Sequence, residues 1–304
     1  MTLDMIAECV DESGQPAVLI RADRRMTIIS MKMGPGDEGP TQTETYNDDV
    51  NKTVIVSNGV GVAFAGEPEM GYLAVDVIRH FANQLEKDGI TQELGQKIGA
   101  SLALAASQMG ASGEGLTHSA DLLVGVRAND GRVSMFRAVA ITPGVLSMSG
   151  DGYNPAPRVS MQIVKAPTAI GLDVTEPNIV LHKTLHEWFG DPRMGENTAG
   201  HSMDVVGAFL ENAFDYELEH NPDAQYINDR ATYLLVSKDG TRQLSDAEVM
   251  RFRELNERIV NSRLSPRHAV AQIELSEATA KKRVSDAEAS PQSGQTSDRT
   301  KTTA

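Results

Sequence analysis

The sequence predicts an α+β fold, a four-layer αββα sandwich in which two antiparallel sheets stack face to face between helices. Strand-like runs occur in three groups, and helix-like runs occur in two pairs between those groups. Such segregation is typical of layered α+β domains rather than of doubly wound parallel sheets. Hydrophobic residues make up 40% of the chain, which indicates a packed core rather than a disordered polypeptide.

The first group of strands opens the chain. Thr2–Val10 alternates loosely between apolar and polar residues, and the apolar run Ala17–Asp23 follows, so each predicts a strand. Turn-forming residues in Asp11–Gln15 separate the two runs, which predicts a hairpin. Arg25–Met33 is mixed in composition and can continue the second strand. Gly34–Asp49 is rich in glycine, proline and polar residues, and it predicts a mobile loop.

Two further strands and the first pair of helices come next. Thr53–Ser57 and Val60–Ala65 flank an Asn-Gly turn, which favours a second hairpin. Pro68 suits the first position of a helix. Apolar residues then recur at helical spacing until Gly89 ends the helix. Gln92–Met109 predicts the second helix of the pair.

The rest of the body repeats this order. The predicted strands are Leu122–Arg127, Val133–Ala138, Val145–Met148, Ser160–Val164, Thr168–Leu172 and Ala231–Ser237. The predicted helices are Pro177–Phe189 and Met203–Glu219. We assign residues 1–245 to the sandwich domain. Ser245 caps a polar helix, so residues 246–273 are expected to be a helical extension. Residues 274–304 contain almost nothing apolar and are expected to be a disordered tail.

The composition disfavours several classes of function. A formal net charge of -14 would repel nucleic acids and anionic membranes, so neither is expected as a partner. No apolar run approaches the ~18–20 residues that a membrane-spanning helix needs. The start of the chain is acidic and lacks the basic region of a secretory signal. A single cysteine, Cys9, fits a reducing compartment. We therefore expect a cytoplasmic protein.

Metal and cofactor motifs are weak in this sequence. His182 and His186 lie four residues apart on a predicted helix, a spacing that can hold zinc. No glutamate lies between them, so the metallopeptidase pattern is missing and a half-buried helix face is favoured. The sequence contains no GxSxG elbow and no catalytic Cys–His arrangement. We predict neither a metal nor a cofactor, and we interpret Cys9 as a small buried strand residue.

Thr2 is a candidate nucleophile. Methionine aminopeptidase generally removes Met1 before a small residue, which would leave Thr2 with a free α-amine. A threonine hydroxyl is a weak nucleophile that needs a base. The α-amine of a terminal residue has a pKa of roughly 7.7–8.0, so part of it is neutral at cellular pH and can accept the hydroxyl proton. Taken alone, a threonine at position 2 is frequent and carries little information.

The ordered set of segments TLDMIAECV, AVLIRADRR, NDDVNKTVIV and GVGVAFAGEPEMGYLAVDVI resembles the start of proteasome β-type subunits and bacterial proteasome-like peptidases. These proteins belong to the N-terminal-nucleophile hydrolase superfamily. The resemblance covers residues 2–86 closely and continues to Gly240 mainly as element order. It implies the αββα sandwich of that superfamily and a peptidase with an N-terminal threonine.

The resemblance assigns roles to five residues. Thr2 matches the nucleophile, Asp23 matches the carboxylate that pairs with a lysine, and Lys52 matches that lysine. Gly66 matches the glycine whose backbone N–H stabilises the oxyanion. Asp223 matches an aspartate that positions the terminal amine. Elementary electrostatics is consistent with these roles, because a cation near Thr2 favours its deprotonated forms and needs an anion when it is buried. Without the resemblance, Asp23 and Lys52 would be interpreted as a solvated surface pair.

Three functions remain open. The first is a threonine hydrolase that cleaves peptide or other amide bonds. The second is a non-catalytic ring subunit of the same fold, and the third is an amide ligase or transamidase that uses the same acyl-enzyme. A serine that the family carries after Thr168–Gly171 is replaced here by Leu172. The resemblance also implies peptide or protein substrates and self-association into rings, and it leaves open whether an ATPase partner exists.

Overall fold

The computed structural model describes residues 3–32, 41–48, 50–112, 118–142, 157–171, 175–190, 197–220 and 230–289. This part of the chain forms an α+β fold with two five-stranded antiparallel sheets, a separate two-stranded hairpin and six helices. The α+β prediction is therefore confirmed. The predicted strand Val145–Met148 lies outside the described residues.

The first sheet carries the start of the chain. In spatial order its strands are β10 (Thr168–Gly171), β1 (Leu3–Val10), β2 (Pro16–Asp23), β11 (Ala231–Ser237) and β12 (Gly240–Gln243). β1 and β2 form the predicted hairpin, and the Asp11 carboxylate holds its turn by accepting hydrogen bonds from the backbone amides of Ser13 and Gln15. The register pairs Asp4 with Ala22, which brings the end of β2 beside the start of β1.

The second sheet follows the chain order without a crossover. Its strands are β5 (Thr53–Ser57), β6 (Val60–Gly66), β7 (Ser119–Arg127), β8 (Val133–Ile141) and β9 (Arg158–Val164). Thr53 pairs with Ala63, and the Phe64 amide donates a 3.1 Å hydrogen bond to the Lys52 carbonyl. The pairing of β5 with β6 therefore includes Lys52, although this residue precedes the strand.

Helices cover the outer face of each sheet. On the second sheet these are α1 (Pro68–Asp88) and α2 (Gln92–Ser112), and on the first sheet they are α3 (Thr175–Phe189), α4 (Met203–His220), α5 (Asp246–Val260) and α6 (Pro266–Ala289). Each group closes its own hydrophobic core. Phe136 and Ile98 belong to the core beneath α1 and α2, whereas Trp188 and Phe252 belong to the core on the other side.

A third core lies between the two sheets. Ile6 and Ile20 come from the first sheet, and Ala63 and Leu123 come from the second. Residues of β1 alternate between this core and the helical side, since Leu3 and Met5 belong to the cluster that includes α3 and α4. An arrangement of helices, sheet, sheet and helices is compatible with the predicted four-layer sandwich.

The segment between the two sheets departs from its prediction. A mobile loop was expected over Gly34–Asp49, but β4 (Thr41–Asn47) pairs with β3 (Met26–Lys32) as an antiparallel hairpin. The predicted continuation of the second strand is therefore replaced by β3, which belongs to a separate two-stranded sheet. β4 alternates threonine with polar residues, a pattern that favours a strand even though few of its residues are apolar. An ion pair between Arg25 and Asp48 joins the two ends of the hairpin at 2.6 Å.

The C-terminal helices extend further than the sequence predicts. The expected boundary between helical extension and disordered tail was at residue 273, whereas α6 continues to Ala289. Its first turns bury Ala269 and Val270 against the core of the first sheet. Further along, Ser276 and Thr279 donate side-chain hydrogen bonds to carbonyls one turn earlier, so polar residues are accommodated in the helix. Residues 290–304 lie outside the described part.

Candidate active site

Asp23 and Lys52 meet at the end of β2. The Lys52 ammonium lies 2.8 Å from the Asp23 Oδ1 atom, and the two side chains are 6% and 0% exposed. Asp23 is the last residue of β2, and Lys52 immediately precedes β5, so the pair joins one sheet to the other. The alternative of a solvated surface pair is contradicted by this burial. Two buried charges at this distance balance each other, and removing either would leave the other uncompensated.

The Asp23 carboxylate is also tied to the start of the chain. Its Oδ2 atom accepts a 2.6 Å hydrogen bond from the backbone amide of Leu3. Its Oδ1 atom accepts a second one, at 2.8 Å, from the Arg25 amide. The Lys52 ammonium and these two amides give the carboxylate three hydrogen-bond donors. A buried anion needs such partners to offset its loss of water. The ion pair is therefore held directly against the residue that follows Thr2 in the sequence.

Asp4 is a member of this cluster that the sequence analysis missed. Its side chain is completely buried, and its Oδ1 atom lies 3.3 Å from the Asp23 amide that donates to it. Its Oδ2 atom has no hydrogen-bond partner in the described part of the chain. Burial raises the pKa of the Asp4 carboxyl well above its usual range, and the nearby Lys52 charge opposes this effect. The sequence signal that could have identified Asp4 is an aspartate inside the otherwise apolar run LDMI.

Gly66 occupies the exposed end of β6, just before α1 begins at Pro68. Its backbone φ of +102° is unfavourable for a residue with a side chain, and a Cβ atom there would lie 2.3 Å from the Ser119 carbonyl oxygen. Both constraints require glycine. The N-cap residue of α1, Glu67, makes no side-chain capping hydrogen bond, and its carboxylate instead contacts the Nδ1 atom of His118.

Two of the five predicted site residues cannot be compared with the structure. Thr2 and Asp223 lie outside the described residues. Among the others, the structure joins Asp23 to Lys52 directly. Gly66 lies two residues after Phe64 on β6, and the Phe64 amide donates a hydrogen bond to the Lys52 carbonyl.

A second buried charge cluster lies on the helical side of the first sheet. Arg21 donates through Nε to Glu211 at 3.0 Å, and its guanidinium carbon lies 3.4 Å from the centre of the Phe214 ring. Glu211 also accepts hydrogen bonds from the Tyr233 hydroxyl and from Arg253. The sequence analysis missed this cluster, whose members come from β2, α4, β11 and α5. Its location within the helical core indicates that it stabilises the fold.

The described residues also bear on the metal and membrane expectations. No group of three or more His, Cys, Asp or Glu side chains among them is placed to hold a metal ion. His182 and His186 are both exposed on α3, so the expected half-buried histidine face was wrong. Cys9 is buried in β1 as expected. Within the described ranges, none of the helices has the length and apolar character needed to cross a membrane.

No protein-family model matches the chain, and no curated protein matches it at a significant level. Function therefore has to be inferred from the geometry around Asp23 and Lys52.

Proposed function

We propose that the protein is a threonine hydrolase of the N-terminal-nucleophile type, built on an αββα sandwich, that cleaves peptide or other amide bonds. The observation that carries this proposal is the position of the buried Asp23–Lys52 pair. It is hydrogen-bonded through Asp23 to the Leu3 amide at 2.6 Å, one residue after Thr2 in the sequence. A buried cation held at the start of a chain can activate a nucleophile located there.

Each residue has a defined role in this proposal. The Thr2 hydroxyl oxygen attacks the substrate carbonyl carbon, and its proton passes to the Thr2 α-amine. The Lys52 charge favours the deprotonated forms of both groups, and Asp23 balances that charge. The backbone N–H of Gly66 donates to the developing oxyanion at the N-terminal end of α1, where the helix dipole adds to the stabilisation.

The reaction is completed by three proton transfers. The proton held by the α-amine passes to the leaving amine as the carbon–nitrogen bond breaks, and an ester on the Thr2 oxygen remains. Water then attacks the ester carbonyl and gives one proton to the α-amine. The amine passes this proton to the threonine oxygen as the ester bond breaks, which releases the carboxylic acid product and restores the threonine hydroxyl. Asp223 is assigned the positioning of the terminal amine, a role that comes from the family resemblance alone. No metal or organic cofactor takes part in this scheme.

Intact-mass spectrometry provides the first test, because the proposal requires Met1 to be removed. Incubation with a β-lactone, which acylates activated hydroxyls, should then add one acyl group at Thr2. We expect Thr2→Ala to lose amidase activity by about 10³-fold or more, and Thr2→Ser to retain part of it. Thr241→Ala, on β12, serves as the control for the loss of a threonine hydroxyl.

The outcomes separate the three functions. Retention of Met1 in active protein would refute the proposal. A processed chain that neither hydrolyses amides nor reacts with the lactone indicates the non-catalytic subunit. Release of product only when an acceptor amine is present indicates the ligase or transamidase. We also propose self-association into rings and peptide or protein substrates as part of the same function.

A further inference from the structure

Three ionisable side chains share the buried region between the start of β1 and the end of β2. Asp4 and Asp23 are completely buried, and the Lys52 side chain is only slightly exposed. If all three were ionised, the cluster would carry one surplus negative charge in a region that excludes water. An unbalanced buried charge is strongly unfavourable, and a carboxyl in that position takes up a proton instead.

The hydrogen bonds distinguish the two carboxyls. Asp23 accepts from Leu3, Arg25 and Lys52, which is the environment of a carboxylate. Asp4 accepts only a 3.3 Å bond from the Asp23 amide, and its Oδ2 atom has no partner in the described ranges. The charge therefore belongs on Asp23 and the proton belongs on Asp4.

The charged groups around Asp4 lead to the same assignment. Burial is the main effect that raises the pKa of its carboxyl well above the usual range. Lys52, ahead of β5, lowers this pKa, and Asp23, on β2, raises it. The Asp23 amide and the more distant Arg21, also on β2, lower it slightly. Burial together with the second carboxylate outweighs the two cations.

We propose that Asp4 holds a proton in the resting site, so that Asp23 alone balances Lys52, and that loss of this proton sets the upper pH limit of the reaction. For the activity this inference rests on the proposed function, and Asp4 acts in it as a positioning residue. When Asp4 ionises, its proton goes to solvent and a second negative charge appears beside Lys52. That charge offsets the positive field of Lys52, so the Thr2 hydroxyl gives up its proton less readily and the oxyanion is less stabilised, and the reaction slows.

Asp4→Asn is the direct test, since asparagine has the shape and charge of a protonated aspartate. The control is Asp11→Asn, after the opposite end of β1, where the carboxylate accepts three hydrogen bonds within the Asp11–Gln15 turn. We expect the wild-type infrared spectrum to contain the carbonyl band of a protonated carboxylic acid at neutral pH. That band should be absent in Asp4→Asn and present in Asp11→Asn.

The pH dependence of unfolding tests the same proton without any enzymatic assay. The folded-state pKa of Asp4 is raised, so its contribution to stability is complete below the unfolded pKa and is lost as pH rises towards the folded pKa. Over that window the ratio of the wild-type unfolding constant to that of Asp4→Asn should increase about tenfold per pH unit. The ratio for Asp11→Asn should lack this dependence.

Activity is measured last, so that the two proposals can fail separately. If the enzyme is active, the alkaline limb of the kcat/KM profile should move to higher pH in Asp4→Asn and stay in place in Asp11→Asn. A wild-type protein without amidase activity refutes the proposed function, while the infrared and unfolding results still decide the protonation of Asp4. Absence of the band, or an Asp4→Asn protein that does not fold, overturns the inference, because the neutral isostere must be tolerated.

Discussion

At the scale of single residues, the Lys52 ammonium and the Asp23 carboxylate form an ion pair from which solvent is almost excluded. The pair Lys97–Glu93 has a similar separation of 2.7 Å, but it lies on the exposed face of α2. Equal distances therefore have different consequences, because the buried pair has no water to replace a missing partner.

We expect Lys52→Met to destabilise the fold by about 3–5 kcal/mol, since it leaves Asp23 as a buried charge without its cation. It should also lower kcat. Lys97→Met is the matched control and should leave the midpoint of urea unfolding unchanged, because an exposed pair contributes little. An unchanged midpoint in Lys52→Met would mean that the pair does not support the fold.

The second residue-scale prediction concerns Glu211. Burial opposes ionisation of its carboxyl, but the charges and hydrogen bonds of Arg21, Tyr233 and Arg253 hold its pKa below the usual value of 4.5. Glu211→Gln would leave the Arg21 guanidinium buried without its anion, so we expect a destabilisation of about 3–5 kcal/mol. Tyr233→Phe removes one hydrogen bond to a charged group and should cost about 1.5–3 kcal/mol.

The sign of the pH effect follows from the lowered pKa of Glu211. Its contribution to stability is present above the unfolded pKa and is lost as the pH falls through the folded pKa. The wild-type free energy of unfolding should therefore decrease below about pH 4.5 more steeply than that of Glu211→Gln. Equal slopes in acid titrations followed by circular dichroism would count against the assignment.

Some of these residues could be predicted from the sequence. Asp23, Lys52 and Gly66 were assigned through the family resemblance, which matches each of them at the boundary of a predicted element. Asp4 was not identified from the sequence. Strand alternation places it on the inter-sheet side, but it does not indicate which residues Asp4 contacts there. Arg21 and Glu211 are separated by 190 positions, so only the assembled fold brings them together.

At the scale of elements, α4 and α5 cross where Gly207 faces the ring of Phe252. A methyl group on Gly207 would lie 2.5 Å from two carbon atoms of that ring. We expect Gly207→Ala to destabilise the protein by about 1–3 kcal/mol, because the added volume has to separate the helices.

Gly95→Ala, in α2, provides the matched control for this prediction. The atom nearest to its added methyl group would be the terminal carbon of Met161, at 4.0 Å, which is an ordinary contact. The higher helix propensity of alanine should then stabilise the protein by up to about 1 kcal/mol. Thermal unfolding of both variants measures the difference, and shifts of the same sign would contradict the close helix crossing.

The elements that were predicted well have strong periodic patterns, as the apolar face of α1 illustrates. The two departures have a common physical cause. β4 and α6 are polar segments. β4 is held by its pairing with β3, and α6 docks on the core through its first turns, from which the helix continues. Hydrophobic periodicity cannot report such pairing, since it records only which side chains avoid water.

At the scale of the whole molecule, the net negative charge and the apolar side chains exposed on the outer helices have opposite effects on self-association. The formal net charge is -14, so copies of the chain repel one another. Large apolar side chains are nevertheless exposed on the helices that cover the second sheet, with Tyr72 of α1 49% exposed and Leu104 of α2 61% exposed. Burial of such side chains between copies would favour association.

The proposed self-association should therefore depend on salt. At 0.1 M ionic strength the Debye length is about 10 Å, so repulsion between separate copies is largely screened. We expect sedimentation velocity and light scattering at micromolar concentration to detect larger assemblies at moderate salt than at low salt.

Two substitutions test whether the outer helices of the second sheet mediate this assembly. Leu104→Glu should shift the protein towards monomer at every salt concentration, because it adds charge and removes apolar surface from α2. Leu275→Glu makes the same chemical change on α6, where Leu275 is 70% exposed, and should have no effect if α6 lies outside the assembly. Equal effects of the two variants would place the contact elsewhere. A single monomeric species of the wild type across the salt range would exclude rings, and the exposed residues of α1 and α2 would then be ordinary surface residues.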